Sequence, residues 1–430
     1  MISKKNFKNH SFLVYGLGLT GKSVINFFKK NDVKNYKVWD DKNFSLYKSK
    51  RPKNLDETLK ETNYIVLSPG ISLKGSKNTN KLQKYKKKII TDLDLIFLLK
   101  NFSQSAIITG TNGKSTTCKI MDHVLKKNGY KTLLGGNIGT PILNLKVNKN
   151  NFLIIEASSF QLAYSKFISP DYAILLNITN DHIDWHGNMR NYINSKFKIF
   201  ERQKNNQYSF VNKNFEYEFK KRRFLGKLNI PNIDRYKKIK PNIKNSYLKL
   251  DINDENMCFV YSFVKLLKIS LKSFCRSLNS FKGLPHRYEI FLKQSNCTFI
   301  NDSKATTFEA TKFALKNTKN IFWIVGGLPK KNDKFHLKSL KKNIIKSYII
   351  GKNVNFFKNQ LKNKIKLKIT KSLKNSLIHI FRDIKSLSYK ENFILLSPAA
   401  ASFDQFLNFE KRGEKFKKLS KYYARKYIKT

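Results

Sequence analysis

The chain is short of acidic residues, of cysteine and of long apolar runs, and each shortage narrows what it can be. Only 29 Asp and Glu stand against 85 Lys and Arg, a formal charge of +56 over 430 residues. Four cysteines occur (Cys118, Cys258, Cys275, Cys297), none in a CxxC pair or at ligand spacing from a histidine. Neither a disulfide framework nor a structural zinc site is supported, and a reducing compartment fits. No segment reaches the roughly 18–20 apolar residues of a membrane span, and runs such as Ala173 to Leu176 are strand-sized. At the N-terminus Lys4, Lys5 and Lys8 precede the apolar stretch Ser11 to Tyr15, which enters Gly16 and Gly18 without a small-x-small cleavage site. That favours a buried first strand over a signal peptide, and a cytoplasmic protein with no membrane partner is expected.

What is present is a globular composition. Hydrophobic residues make up 40% and aromatics 13%, too rich for a disordered basic tail. The excess Lys is spread among Asn, Ile, Phe and Tyr along the whole chain, as in Lys86 to Ile90 and Lys411 to Lys429, rather than forming one block or one helix face. A compositional bias explains this pattern better than a nucleic-acid surface, so no specific nucleic-acid partner is expected.

Short apolar segments alternate with amphipathic helical ones, the pattern of parallel α/β layers. Strands are expected at Phe12–Tyr15, Tyr36–Trp39 and Tyr64–Leu67, then at Ala106–Thr109, Phe152–Ile155 and Tyr172–Asn177. A third series takes in Thr298–Ile300, Ile321–Val325, Ser347–Ile350 and Asn392–Leu396. The Lys/Asn-rich stretch from Asn205 to Asp251 is expected to hold short strands or surface loops. The fold class is therefore α/β, and three domains are expected, at residues 1–92, 93–283 and 284–430.

Two glycine-rich strings follow expected strands. Gly110, Thr111, Asn112, Gly113, Lys114, Ser115 and Thr116 open a helical stretch. There, glycine lets backbone N–H groups approach phosphate, Lys114 reaches the terminal phosphates and the Ser115 hydroxyl can ligate Mg²⁺. The string is shorter than the full Walker pattern, whose first glycine would fall at Ile108. Gly16-Leu17-Gly18-Leu19-Thr20-Gly21, with Asp40 about twenty residues on, has the dinucleotide-binding spacing. Taken alone it would fit a nicotinamide enzyme, which would leave the second string and the C-terminal third idle. Glu156, Asp181, His182 and Lys196 follow the second string. Individually they read as a helix cap, loop residues and a solvated face of a helix spanning Arg190 to Phe200, with Lys198 equally solvated and facing elsewhere.

Together with Glu156–Leu162, Asn177–His182, Gly283–Arg287, Asn301–Thr306 and Leu396–Ser402, these strings resemble the Mur ligases. The resemblance runs in family order from Gly16 to about Gly413, and is nearest to members that add D-glutamate to UDP-N-acetylmuramoyl-L-alanine. It implies a Rossmann-like UDP-binding domain, a central P-loop-type ATPase domain and a C-terminal Rossmann-like domain that brings in the amino acid. The implied chemistry uses ATP and Mg²⁺: the substrate carboxylate becomes an acyl phosphate, which the D-glutamate amine then displaces. A monomer is expected.

The resemblance also implies residue roles. Gly18, Leu19, Thr20, Asp40, Ser68, Gly70 and Asn137 would hold the UDP-substrate, although Asp41 stands where relatives often carry a hydroxyl. Gly110 to Thr116 would bind ATP with Asn256, Arg287 and Asp302, and Glu255 and Phe259 depart from the family around Asn256. Lys114, His182 and Lys196 would be catalytic. Ser115, Glu156, His182 and a carbamylated Lys196 would hold metal. Thr306, Lys330, Ser402 and Phe409 would bind D-glutamate, with Lys331 the alternative to Lys330. Folate ligases of the same superfamily lack the N-terminal UDP domain that Gly16 to Gly70 supplies.

Overall fold

The computed structural model describes residues 6–428 except 44, 46, 74–76, 331–332, 337 and 388. Three sheets follow one another along the chain. The first is formed by β1 (Phe12–Tyr15), β2 (Tyr36–Trp39), β3 (Tyr64–Leu67) and β4 (Ile89–Ile90), all parallel, in the order β2-β1-β3-β4. The chain leaves β1 in one direction and returns on its other side, which opens a crevice at the carboxyl end where Gly16 to Gly21 lies.

The second sheet comprises β5 (Gln104–Thr109), β6 (Thr132–Gly136), β7 (Phe152–Glu156), β8 (Tyr172–Leu175), β9 (Tyr208–Val211) and β10 (Lys227–Asn229). It is parallel throughout, in the order β10-β9-β8-β5-β7-β6. Its central strands are buried on both faces, which is why they read as continuous apolar runs. The Lys/Asn-rich stretch supplies β9, β10 and the short helices Glu216–Lys221 and Ile233–Ile239, so it builds the edge of this sheet.

The third sheet contains β11 (Glu289–Gln294), β12 (Cys297–Asn301), β13 (Ile321–Gly326), β14 (Ile344–Ile350), β15 (Leu367–Lys371) and β16 (Asn392–Leu396). Its order is β11-β12-β16-β13-β14-β15, with only β11 antiparallel, as a hairpin on β12. Strands β4, β6, β11 and β15 were not anticipated. Of the five residues of edge strand β15 only Thr370 is buried, so it carries almost no apolar signal.

The chain forms two compact units, Met1–Phe281 and Lys282–Thr430. The expected cut between 92 and 93 falls inside the first unit, at the start of the helix Asp92–Leu99. One apolar core there unites Phe12, Val14 and Val66 of the first sheet with Ile107, Leu153 and Ala173 of the second. Buried polar groups fasten the same junction. Asp94 accepts from the backbone N–H of Lys166 (2.7 Å) and Phe167 (2.6 Å), and Asp92 accepts from the Gln161 amide at 3.2 Å. Burial pushes the Asp92 carboxyl up to about 6.

Candidate active site

The phosphate-type loop leaves β5 at Thr109, whose hydroxyl donates to Ala157 O at 2.9 Å, and turns through Gly110 into the helix Lys114–Lys127. Gly113 takes φ +82°, and a Cβ there would lie 2.1 Å from Asn256 Oδ1, so both conformation and space demand glycine. Asn177, following β8, braces the loop: its backbone O accepts from Thr111 N (2.9 Å) and its Oδ1 from Asn112 N (2.9 Å). Ser115 and Thr116 are buried in the first helical turn. Asn256 is buried against this turn and accepts from the Thr117 hydroxyl at 3.2 Å.

Two lysines converge on one carbonyl. Lys114 Nζ donates to Gly110 O (2.7 Å) and Thr111 O (2.9 Å), while Lys196 Nζ donates to the same Gly110 O at 2.8 Å. Lys196 is 1% exposed and sits 4.6 Å from the Tyr192 ring, one turn back on the helix Met189–Phe197. Burial, then the Lys114 charge, holds its amine well below the ordinary lysine range. The solvated-face reading of Lys196 is therefore overturned, because this helix turns its Tyr192–Lys196 face onto the loop.

The same correction applies to Lys198. Its Nζ donates to Ala163 O (3.0 Å) and Ser165 O (3.3 Å), the last carbonyls of the helix Ser159–Tyr164, and burial lowers its pKa. It does face away from the loop, but it is engaged rather than solvated.

A cavity of about 100 Å³ opens beside the two lysines, lined by Lys114, Asn137, Ser158, Ser159, Phe160, His182, Tyr192 and Lys196. Glu156, 2% exposed at the end of β7, accepts from the exposed Asn137 amide at 2.8 Å through Oε1, while its Oε2 is buried without a hydrogen-bond partner. Glu156 does not cap the next helix. That role belongs to Ser158, whose hydroxyl accepts from Gln161 N at 3.2 Å. An orphaned buried carboxylate oxygen calls for a cation or a proton. His182 is held at φ +53°, with Nε2 3.4 Å from Asp181 Oδ2 and its ring 4.8 Å from that of Phe160. Among the described residues no group of three or more His, Cys, Asp and Glu side chains is placed to hold a metal ion.

His186 was missed. It is buried with Nε2 3.0 Å from Ser159 Oγ, and burial followed by the His182 and Lys196 charges lowers its pKa to about 4. The four-residue step from His182 was the available signal.

In the first sheet a Cβ on Gly21 would lie 1.9 Å from Gly16 O, so the helix Leu19–Lys30 can start this close to β1 only with glycine there. Gly18, Leu19 and Gly70 are exposed and Thr20 half-buried at its mouth. Ser68 donates to Gly16 O at 2.8 Å. The Asp40 carboxylate is occupied by the backbone N–H of Leu17 (2.7 Å), Lys42 (2.9 Å) and Asn43 (2.9 Å). Burial opposes these bonds, yet together they hold Asp40 below its ordinary value. Asp40 thus shapes the loop. Asp41 is tied to Tyr15 OH (2.9 Å), Trp39 Nε1 (3.0 Å) and Asn78 Nδ2 (2.7 Å).

In the second unit, the expected residues gather at the carboxyl ends of β12, β13 and β16. Asp302 accepts from Tyr288 N (3.1 Å) and Ser397 Oγ (2.7 Å), and burial raises it to about 7. Arg287 lies between two left-handed residues, His286 at φ +63° and Tyr288 at φ +45°. Thr306 is half-buried, Ser402 is buried, and Lys304 Nζ sits 3.8 Å from the Phe409 ring centroid. Lys330 is exposed near Asp333, and Lys331 lies outside the described residues.

Comparison with known proteins follows this geometry. Residues 108–272 match the model of the Mur ligase middle domain. The chain is 34% identical over 443 residues to a protein of Rickettsia prowazekii, covering 96% of this chain and 98% of that one. It is 35% identical over 447 residues to one of Buchnera aphidicola, covering 97% and 99%. Both relatives are named UDP-N-acetylmuramoylalanine–D-glutamate ligase. Among solved structures, the UDP-N-acetylmuramate–alanine ligase of Thermotoga maritima shares the fold at 16% identity and TM-score 0.57, over 96% of this chain and 100% of that one. The MurF ligase of the same organism, solved with ADP, does so at 16% and 0.57 over 98% of both chains. A phosphate-type loop after the central strand of a parallel sheet, relatives above 30% identity along nearly the whole chain and a shared fold agree: this chain belongs to the Mur ligase family, in its branch of UDP-N-acetylmuramoylalanine–D-glutamate ligases.

Proposed function

We propose a division of labour for the ATP-dependent addition of D-glutamate to UDP-N-acetylmuramoyl-L-alanine. The observation that carries it is the convergence of Lys114 and Lys196 on Gly110 O beside a cavity that contains His182 and whose lining residue Asn137 holds Glu156.

ATP places its phosphates against the backbone N–H groups of Gly110 to Thr116, with Asn256, Arg287 and Asp302 serving the nucleoside and phosphates. The L-alanyl carboxylate attacks the γ-phosphorus, the bond to ADP breaks, and an acyl phosphate results. Two anions must meet, so positive charge has to be in place beforehand, and Lys114 supplies it. The D-glutamate amine then attacks the acyl carbon, and phosphate leaves through a tetrahedral intermediate. Thr306, Lys330, Ser402 and Phe409 hold D-glutamate, the cation and hydroxyls gripping its side-chain carboxylate. Gly18, Leu19, Thr20, Ser68 and Gly70 receive the UDP portion.

The unpartnered Glu156 Oε2 fits a hard cation, and Ser115 and His182 would be the further donors to Mg²⁺. When bound, such an ion offsets the charge gathered on the phosphates. Burial and then the Lys114 charge favour the neutral form of the Lys196 amine. A neutral amine adds CO₂ with loss of a proton, which turns a cation unable to ligate metal into an oxygen donor. The test is phosphate release from ATP with the UDP-muramoyl-alanine acceptor and one amino acid at a time. D-glutamate supports release and L-glutamate does not. Equal release with L-glutamate or meso-diaminopimelate removes the assignment.

A further inference from the structure

The second unit contains a buried cation to which the reaction above assigns no work. Arg412, in the first turn of the helix Phe409–Tyr427, is 1% exposed. Its Nε donates to Ser303 Oγ (3.0 Å), and its Nη2 donates to Ser303 O (2.8 Å) and Ala400 O (2.9 Å). Nη1 is buried and has no partner. Among the described residues no carboxylate hydrogen-bonds this guanidinium. Asp404 is the acidic group whose charge it feels, and burial lowers its pKa to about 10.

A guanidinium buried on neutral acceptors is costly to desolvate. The position of its partners accounts for it. Ser303 follows β12 on the loop that carries Asp302, Lys304 and Thr306, and its hydroxyl also donates to Phe409 O at 2.9 Å. Ala400 belongs to the loop after β16 that leads into Ser402. The free Nη1 lies on the third loop, after β13: a Cβ on Gly327 would come within 3.2 Å of it. That loop pairs with the β16 loop through mutual 2.9 Å bonds between Leu328 and Ala401, and it leads to Lys330. The helix can lie this close only because Gly413 has no side chain, since a Cβ there would sit 2.2 Å from His286 Nδ1.

We infer that Arg412 is the positioning residue of the amino-acid subsite, fastening the loops that present Thr306, Ser402, Phe409 and Lys330 at the spacing D-glutamate requires. The inference rests on the D-glutamate reading of those four residues and deepens it. The planar fork matters more than the charge, because three directed bonds to two loops fix their separation and a lysine ammonium cannot reproduce that geometry.

The experiment is steady-state kinetics on the full chain with ATP, the UDP-substrate and D-glutamate, alongside thermal melting. Wild-type turnover with D-glutamate comes first, and its absence overturns the subsite reading itself. Arg412→Lys then raises KM for D-glutamate by roughly tenfold or more, with KM for ATP and for the UDP-substrate within about twofold of wild type. Ser303→Ala, a gentler change that removes the Nε acceptor and the bond to Phe409 O, raises the same KM by roughly threefold. Guanidinium added to Arg412→Ala lowers its KM for D-glutamate back toward wild type. Equal shifts in all three KM values, or a lower melting temperature with KM for D-glutamate unchanged in both Arg412→Lys and Ser303→Ala, shows a purely structural residue and overturns the inference.

Discussion

The phosphate-type loop and the proposed amino-acid subsite are built in opposite ways. The former is seven consecutive residues, Gly110 to Thr116, between one strand and one helix, and its shape follows from glycine dihedrals and a helix start. The latter draws on loops after β12, β13 and β16 and on the start of the last helix, and is joined by a buried arginine. A contiguous site tolerates change around it but not within it, whereas a site pieced together from distant loops can be loosened from outside.

The largest effect falls in the contiguous site. Lys114→Ala lowers turnover by roughly a thousandfold or more, as for other preplaced charges at phosphoryl transfer. Calorimetric titration still shows wild-type affinity for the UDP-substrate, because Gly16 to Gly21 belongs to a separate sheet. Loss of that binding breaks the claim that the two glycine loops act independently.

Lys196→Ala is next, with a loss of about a hundredfold, partly restored by a short carboxylic acid that can enter the vacated space. Lys198→Ala keeps its turnover but melts a few degrees lower, because two helix-end carbonyls lose their donor at a cost of about 1 kcal/mol. If both variants lose turnover alike, Lys196 has no special part in the chemistry.

A smaller effect sharpens the comparison within the phosphate loop. Gly113→Ala raises KM for ATP by roughly tenfold, since its φ of +82° is strained for alanine and the new methyl meets Asn256 Oδ1. Asn256→Ala in the same chain relieves the steric part but also removes a proposed ATP contact, so KM for ATP stays above wild type. Complete recovery in the double variant shows that the backbone conformation is unimportant there.

The smallest effect lies at the junction of the first two sheets. Asp92 is raised from 3.8 to about 6, so the folded chain keeps a proton that the unfolded chain releases. Its contribution to stability therefore falls as pH rises through that window. Asp92→Asn adds about 1–3 kcal/mol above pH 6 and nothing near pH 4. His186 runs the other way: lowered from 6.5 to about 4, it takes stability away as pH falls through that range. Melting curves at pH 4, 5 and 7.5 separate the two, and a pH-independent gain for Asp92→Asn rejects the burial argument.

Much of this was readable in advance wherever the determinant is local. Phe12–Tyr15, Tyr64–Leu67 and Asn392–Leu396 lie where apolar runs put them, because a buried parallel strand needs nothing else. The edge strand β15 escaped notice, since its exposed positions let Lys in. By local pattern Lys196 and Lys198 could not be told from dozens of surface lysines, and only the family resemblance singled out Lys196. Only the packing of the helix Met189–Phe197 against the phosphate loop buries one and directs the other to the helix end at Ser165.

By itself, then, the order of residues determined the α/β class, the strand series, the two glycine loops and the family motifs, all of which depend on neighbours within a few positions. Tertiary structure alone decided which lysine becomes buried, that Asp40 is spent on its own loop, that the first two sheets share one core, and that Arg412 ties Ser303 to Ala400. Those outcomes depend on desolvation and on directed hydrogen bonds between residues up to 109 positions apart, which no local pattern encodes.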